Sequence, residues 1–243
     1  MSSKTRKTAV ITGATGGLGR EISAFFIRAG VSVYLLGRNI DSLKSFIESE
    51  DLTKKGNIHF CKVDFNDDGQ ISETIKSINK EEKVDFLIHG AAFYSYGKFE
   101  GADLSDLDRS YEINVRTPYF LTQQLLPKLI SADGVIAFIN SSVVNSSGKK
   151  NLTNYASTKS ALKSMADCIR QEVNSQGVKV ITYFLGKVAT SMQKKACEYE
   201  GIPYKPEKMI QPADAAKLIY DNITLPDSIE ITDLHIRPPV PYE

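Results

Sequence analysis

Thr8-Ala9-Val10-Ile11-Thr12-Gly13-Ala14-Thr15-Gly16-Gly17-Leu18-Gly19 is the stretch whose reading decides the fold. Residues 8–11 form a short, largely apolar run of the kind found in strands buried on both faces. Glycines crowd the next turn, and a helix runs from about Leu18 to Ala29, where Gly30 ends it. A strand, a glycine turn and a helix start together make an anion site. Glycine lets backbone come close to a phosphate, and the first N–H groups of the helix point at it. The spacing is Gly13-x-x-x-Gly17-x-Gly19 rather than Gly-x-Gly-x-x-Gly, so the general dinucleotide fingerprint is met in its context and not in its letters.

Beyond this unit, strands and helices alternate. Residues 31–36, 58–63, 84–88, 135–139, 178–184 and 229–236 read as strands. Helical spacing covers about 70–79, 104–115, 118–130, 154–173 and 212–222. The alternation predicts a single α/β domain with a Rossmann-like, doubly wound, mainly seven-stranded parallel sheet and helices on both faces. Residues 190–208 are charged and lack clear periodicity. They are either a lid over a pocket or a plain surface connection.

Composition narrows the function. Among 243 residues, 30 basic and 29 acidic side chains leave a formal charge of +1, which makes no electrostatic case for nucleic acid or an anionic membrane. Cys61, Cys168 and Cys197 are widely spaced and form no Cys-x-x-Cys. Reduced thiols are expected, with no disulfide framework and no metal site. The polar, basic start Met1 to Lys7 precedes an apolar run too short for a signal-peptide core, and no apolar segment is long enough to span a bilayer. A cytoplasmic protein is the expectation.

The 154–173 helix carries the chemistry. Tyr155 and Lys159 are four apart and share one helix face. An ammonium beside a phenol favours phenolate, drawing its pKa down from about 10 toward the working pH. That suits proton exchange with a substrate oxygen. Tyr-x-x-x-Lys is a common accident on helices, but its neighbours give it weight. Ser142 stands thirteen residues earlier at the exit of the 135–139 strand, where a hydroxyl faces the crevice of an open parallel sheet. Asn114 sits inside an amphipathic helix, a place where an amide wants a partner. In that order Asn114, Ser142, Tyr155 and Lys159 resemble the catalytic tetrad of the short-chain dehydrogenase/reductase family. Thr12-Gly13-x-x-x-Gly17-x-Gly19 is similar to the family's cofactor loop, and the resemblance extends from Thr8 to about Ile236.

The resemblance implies an NADP(H)-dependent oxidoreductase that reduces a ketone, aldehyde or 3-oxo compound to an alcohol, or the reverse. It makes Tyr155 the proton donor and Ser142 the group that holds the substrate oxygen. Lys159 acidifies Tyr155 and binds the nicotinamide ribose, and Asn114 holds a water linking Lys159 to solvent. Cofactor contacts fall on Gly13, Thr15, Gly16, Gly17, Leu18 and Gly19. After the second strand, Gly37 stands where an NAD site wants an acid for the ribose 2′-hydroxyl. Arg38 and Asn39 follow, and a guanidinium suits a 2′-phosphate, so NADP(H) is preferred to NAD(H). An exposed arginine without a ligand is the other reading of Arg38.

Asp64 and Phe65 line the adenine pocket by the same resemblance, or belong to the turn that follows them. Gly90 and Ala91 allow close approach within His89-Gly90-Ala91-Ala92, where the family has Asn-Asn-Ala-Gly. His89 could do acid–base chemistry, but a structural role in place of the missing asparagine is the better reading. Gly186, Val188 and Thr190 resemble the family's nicotinamide clamp Pro-Gly-x-Val-x-Thr, with Leu185 in place of proline. The substrate pocket is expected from residues 93–98, 143–150 and 187–205, with Tyr94 and Val144 as substrate contacts. A homodimer or homotetramer is expected. The competing reading is a non-catalytic NADP(H)-binding sensor or partner protein of the same fold. A nucleotide-sugar epimerase would need Gly-x-x-Gly-x-x-Gly and a longer C-terminal part, and the chain has neither.

Overall fold

Thr8–Thr12 (β1) is buried along its whole length, and the other strands assemble outward from it. The computed structural model describes residues 6–146 and 148–240. In chain order the elements are β1, α1 (Gly17–Arg28), β2 (Ser32–Gly37), α2 (Ile40–Ser49), β3 (Ile58–Lys62), α3 (Asp68–Ile78) and β4 (Phe86–His89). They continue with α4 (Leu104–Tyr111), α5 (Thr117–Ile130), β5 (Val135–Ser141), α6 (Thr153–Val173), β6 (Lys179–Leu185), α7 (Ser191–Glu200), α8 (Pro212–Ile223) and β7 (Asp233–Ile236).

The seven strands run in the order β3-β2-β1-β4-β5-β6-β7, and every pairing is parallel. The expected doubly wound sheet is therefore present in a single domain. Winding proceeds outward from β1 through β2 to β3, then returns to β1's other side at β4. The loops leaving β1 and β4 part at that reversal, which opens the crevice where open α/β sheets hold ligands. Alternation along each strand feeds two cores. Ile11 faces the layer holding Phe26, Leu43 and Ile219, and Val10 faces the layer holding Ile75, Leu125 and Leu162.

Four local features differ from the sequence reading. Helix α2 occupies a stretch to which no element was assigned. Asn39 caps it, accepting from Ser42 N at 3.3 Å, and Ile40, Leu43 and Ile47 are its buried stripe. Residues 191–200 form helix α7 instead of an irregular connection. Thr190 accepts from Gln193 N at 3.2 Å at its start, and Gly201, at φ +67°, ends it. The 104–130 segment does not break into two separate helices, because a π turn at Glu112–Arg116 joins α4 to α5. Finally, β7 begins only at Asp233. Before it, the Glu230 carboxylate accepts from Val180 N at 3.0 Å and Arg170 donates to the Thr232 carbonyl at 3.0 Å. Side chains thus take over hydrogen bonds that an extended ladder would make.

Cys61, Cys168 and Cys197 are free thiols. Among the described residues no helix is long and apolar enough to cross a membrane. Met1–Thr5, Ser147 and Pro241–Glu243 lie outside the described residues, and with them most of the basic N-terminal stretch and one position of the expected 143–150 pocket segment.

Candidate active site

The exits of β1, β4, β5 and β6 converge on one cavity of about 430 Å³, within the size range of small-molecule sites. Its floor is the glycine turn. Gly13 has φ +70°, and a Cβ there would fall 2.6 Å from the Gly90 carbonyl and Ala91 N. A Cβ on Gly19 would meet Gly13 O at 2.2 Å. Thr12 sews the two loops together, its hydroxyl oxygen accepting from Gly90 N at 3.1 Å and Ala91 N at 3.2 Å. Helix α1 starts with no side-chain cap and no acid in its first turn. Its leading N–H groups and the positive end of its dipole are therefore left for an anion.

Most of the anticipated residues meet at this cavity. Gly13, Gly16, Gly17, Leu18, Gly19, Gly90, Tyr94, Ser142, Tyr155, Lys159, Gly186, Val188 and Thr190 all line it. Thr15 and Ala91 do not. The Thr15 side chain packs over Gly37, where a Cβ would come within 2.7 Å of it, and Ala92 takes the lining position expected of Ala91. Val144 is also off the wall, which carries Val143 instead. The 3-10 turn Ser142–Asn145 rotates successive side chains away from one another.

Arg38, Asn39, Asp64 and Phe65 lie beyond the cavity at the ends of β2 and β3. Arg38 is exposed, and Asn39 is occupied as the cap of α2. Asp64 accepts from Asn66 N at 3.1 Å and Asn66 Nδ2 at 2.8 Å. Those bonds, with Arg38 and Arg109 nearby, hold its carboxyl below the usual range. Phe65 is buried, and its carbonyl accepts from Thr117 Oγ1 at 3.1 Å.

At the serine pair both hydroxyl side chains, Ser141 and the expected Ser142, line the cavity. Ser141 Oγ accepts from Val143 N at 3.2 Å, and Ser142 is exposed. Strand β5 runs two residues further than the apolar run suggested, pairing Ser141 with Leu185. Ser142 therefore opens the following turn.

The electrostatics also depart from expectation. Burial raises the Tyr155 pKa, and the hydrogen bond from Ser141 offsets this only in part. Lys159 does not draw the phenol down. Its Nζ donates to the Ile139 carbonyl at 3.0 Å and stands 5.9 Å from the Tyr155 ring centroid. Burial pushes the ammonium's own pKa down to about 8. A dry site disfavours the charged form of each group, and here that cost outweighs their mutual attraction.

Asn114 is fully buried within the π turn. Its Oδ1 accepts from Phe93 N at 2.8 Å, and its Nδ2 donates to Phe93 O and Thr158 Oγ1, each at 3.0 Å. The side chain is thus engaged with protein on both its oxygen and its nitrogen. It staples the loop after β4 to α6 one residue before Lys159. Asn140, missed in the sequence, does the matching job on the other side. Its Nδ2 donates to the Lys159 carbonyl at 3.0 Å, and its Oδ1 accepts from Ser141 N at 2.7 Å. An asparagine at the end of an apolar strand, where that residue type is depleted, was the available signal.

His89 ends β4 at 2% exposure. Its Nε2 pairs with Thr122 Oγ1 at 2.9 Å, its ring stacks on Phe138, and burial pushes its pKa down to about 3. Its role is structural, not acid–base. Tyr94, in contrast, faces the site. Its ring lies 5.0 Å from that of Tyr155, and its hydroxyl donates to Glu200 Oε1 at 3.0 Å.

Sheet order, crevice and glycine turn define a doubly wound α/β protein of the Rossmann type. Residues 7–201 match the family model described as short chain dehydrogenase, and the chain belongs to that family. The oxidoreductase UcpA of Escherichia coli K12 is 30% identical over 241 residues, covering 96% of this chain and 88% of UcpA. Two solved structures share the fold. The alcohol dehydrogenase of the archaeon Thermococcus sibiricus, complexed with 5-hydroxy-NADP, superposes with a TM-score of 0.85 at 21% identity, over 98% of this chain and 99% of that one. A 7α-hydroxysteroid dehydrogenase complexed with NADH and 7-oxo glycochenodeoxycholic acid gives 0.84 at 25% identity, over 96% and 93%.

Proposed function

We propose that the protein is an NADP(H)-dependent oxidoreductase that reduces a ketone, aldehyde or 3-oxo compound to an alcohol, or runs the reverse reaction. The observation that carries this reading is that Tyr155, Ser142 and Lys159 open onto the same cavity as the glycine turn. The site fits a nicotinamide dinucleotide. The uncapped start of α1 would take the pyrophosphate, the packed glycines leave room for it, and Lys159, Val188 and Thr190 line the nicotinamide end. A bound reduced nicotinamide would supply a hydride to the carbonyl carbon and be oxidised in turn.

The chain's own groups do the rest. Tyr155 gives its proton to the carbonyl oxygen. Ser142 donates to the substrate oxygen, so developing charge meets a donor already in place. Lys159 supplies a positive charge one helical turn from the phenol, and Asn140 and Asn114 hold α6 in register with the strands. Ser142→Ala is expected to lower kcat by about tenfold to a thousandfold, with Ser141→Ala changing it several-fold at most. Steady-state rates of the two variants decide between the serines, and the opposite ranking would move the role to Ser141.

Exposed Arg38, with no acid at the end of β2, supports a 2′-phosphate. Of the two structural neighbours, one was solved with an NADP derivative and the other with NADH, so for this chain the preference rests on Arg38. The test follows the absorbance of NADPH and NADH over a panel of ketones, aldehydes and oxo acids. Arg38→Ala should raise the KM for NADPH by about tenfold or more and leave that for NADH nearly unmoved. An unchanged ratio between the two cofactors would remove the NADP(H) assignment.

A further inference from the structure

The loop after β4 grips the far end of α7 twice. The Tyr94 hydroxyl donates to Glu200 Oε1 at 3.0 Å, and the Tyr96 ring stacks on that of Tyr199, with centroids 6.4 Å apart and planes 6° from parallel. Tyr199 and Glu200 are the last two residues of α7. The segment ahead of α6 completes the clasp. Lys149 Nζ lies 3.1 and 3.2 Å from the two Glu200 carboxylate oxygens, and Asn151 Nδ2 donates to the Tyr96 hydroxyl at 2.9 Å. The Glu200 side chain is 13% exposed. Its bond from Tyr94 is therefore charge-assisted and sheltered from water, a setting in which such bonds are strong.

The proton chemistry uses none of these groups, yet one of them touches the proton donor. The Tyr94 ring packs against that of Tyr155, with centroids 5.0 Å apart and planes tilted by 59°, within the range of favourable aromatic pairs. Tyr155 is the third residue of α6, a helix that starts on Leu152 without a side-chain cap. Packing on the ring thus takes a larger share in placing the phenol. With its hydroxyl held by Glu200, the Tyr94 ring cannot swing on its own torsions without breaking that bond. One side chain therefore runs from the end of α7 to the donor, and Tyr94, Tyr155 and Glu200 all line the cavity.

We infer that Tyr94 is a positioning residue. When α7 is seated, the Glu200 carboxylate fixes the Tyr94 hydroxyl, and the Tyr94 ring sets the Tyr155 phenol toward the reacting carbonyl. This inference deepens the reductase reading and rests on it for Tyr155 as the proton donor. The rival is Tyr94 as a plain substrate contact, which would act on substrate affinity and owe nothing to Glu200.

Carbon NMR of the full chain with tyrosine isotopically labelled at Cζ reads the donor without turnover, the Tyr155 signal being assigned by its loss in Tyr155→Phe. Glu200→Ala should move that signal, and Glu200→Gln, which keeps an oxygen acceptor for Tyr94, should move it less. In a Tyr94→Phe background Glu200→Ala should move it no further. A Tyr155 signal that ignores Glu200→Ala, or that still follows it in the Tyr94→Phe background, overturns the assignment. Tyr94→Phe keeps the ring and carries the test by its own shift and rate should Glu200→Ala not fold. With NADPH and diacetyl, Tyr94→Phe and Glu200→Ala should each lower kcat by about tenfold to a hundredfold, the scale of misplacing a reacting group by about 1 Å, with KM moved a few-fold at most. The double variant should be no slower than either single one, as for residues that act as a unit. A raised KM at the parent's kcat in Tyr94→Phe removes the positioning role and leaves the reductase standing. Coupled shifts at Tyr155 with no NADPH oxidation across the carbonyl panel leave the link from α7 to Tyr155 standing and remove the reductase.

Discussion

Tyr155→Phe lowers the rate of carbonyl reduction by about 10² to 10⁴-fold, the usual worth of a positioned general acid, while cofactor affinity stays within a few-fold. The substitution removes one oxygen and keeps the ring. The packing of that ring against Tyr94, 5.0 Å away, is preserved, so the wall of the cavity should hold its shape. What is lost is the hydroxyl that gives the proton.

Burial holds the phenol's pKa above its ordinary value, so at neutral pH Tyr155 carries its proton and is ready to donate it. Reduction is then expected to be fastest on the acid side of pH 8. It should fall as pH rises through about 8, where Lys159 gives up its charge. Oxidation of an alcohol needs the phenolate and should climb only at pH above the ordinary phenol range. Stopped-flow or steady-state rates in both directions, with fluorescence titration of the cofactor, check each part. A phenylalanine variant with the parent's rates would show that another group delivers the proton, and would favour a non-catalytic role for the Tyr155–Lys159 pair.

Gly19→Ala is expected to weaken cofactor binding by about ten- to a hundredfold and to lower the melting temperature by several degrees, the scale of overpacking a buried contact by 1–3 kcal/mol. The added Cβ would lie 2.2 Å from Gly13 O, 2.8 Å from Gly13 C and 2.9 Å from the Ala14 Cα. All three atoms are backbone, so no flexible side chain can swing aside. Either α1 retreats from the turn or the turn opens, and both pull the N–H groups at the start of α1 away from their anion. Gly97→Ala is the matched control, since a Cβ there meets nothing within 4 Å. Cofactor titration and thermal melting read the two variants side by side. Parent-like affinity and melting in Gly19→Ala would mean that the loop has slack the distances deny it.

Much of the site was legible because its signals are local. Tyr155 and Lys159 are bound together by helix geometry alone, and the glycine turn by a strand ahead and a helix behind. Other parts failed for identifiable reasons. Helices α2 and α7 carry recognisable ends at Asn39, Thr190 and Gly201, but mixed, charged surfaces obscured their periodicity. The acidified phenol came from a pairwise attraction that ignored desolvation. His89 was read correctly as structural, although its partners, Thr122 and Phe138, come from helix and strand segments far along the chain.

By itself, then, the sequence determined the winding of the sheet, the place of the anion cradle and the Tyr155–Lys159 pair, because strand alternation, helical spacing and glycine turns are written in neighbouring residues. Tertiary structure alone decided that Asn114 and Asn140 fasten α6 to the strands, and that Tyr94 reaches Glu200. Those contacts join segments distant in sequence. Their partners are chosen by how the helices and loops pack over the sheet, and burial in that packing sets their protonation.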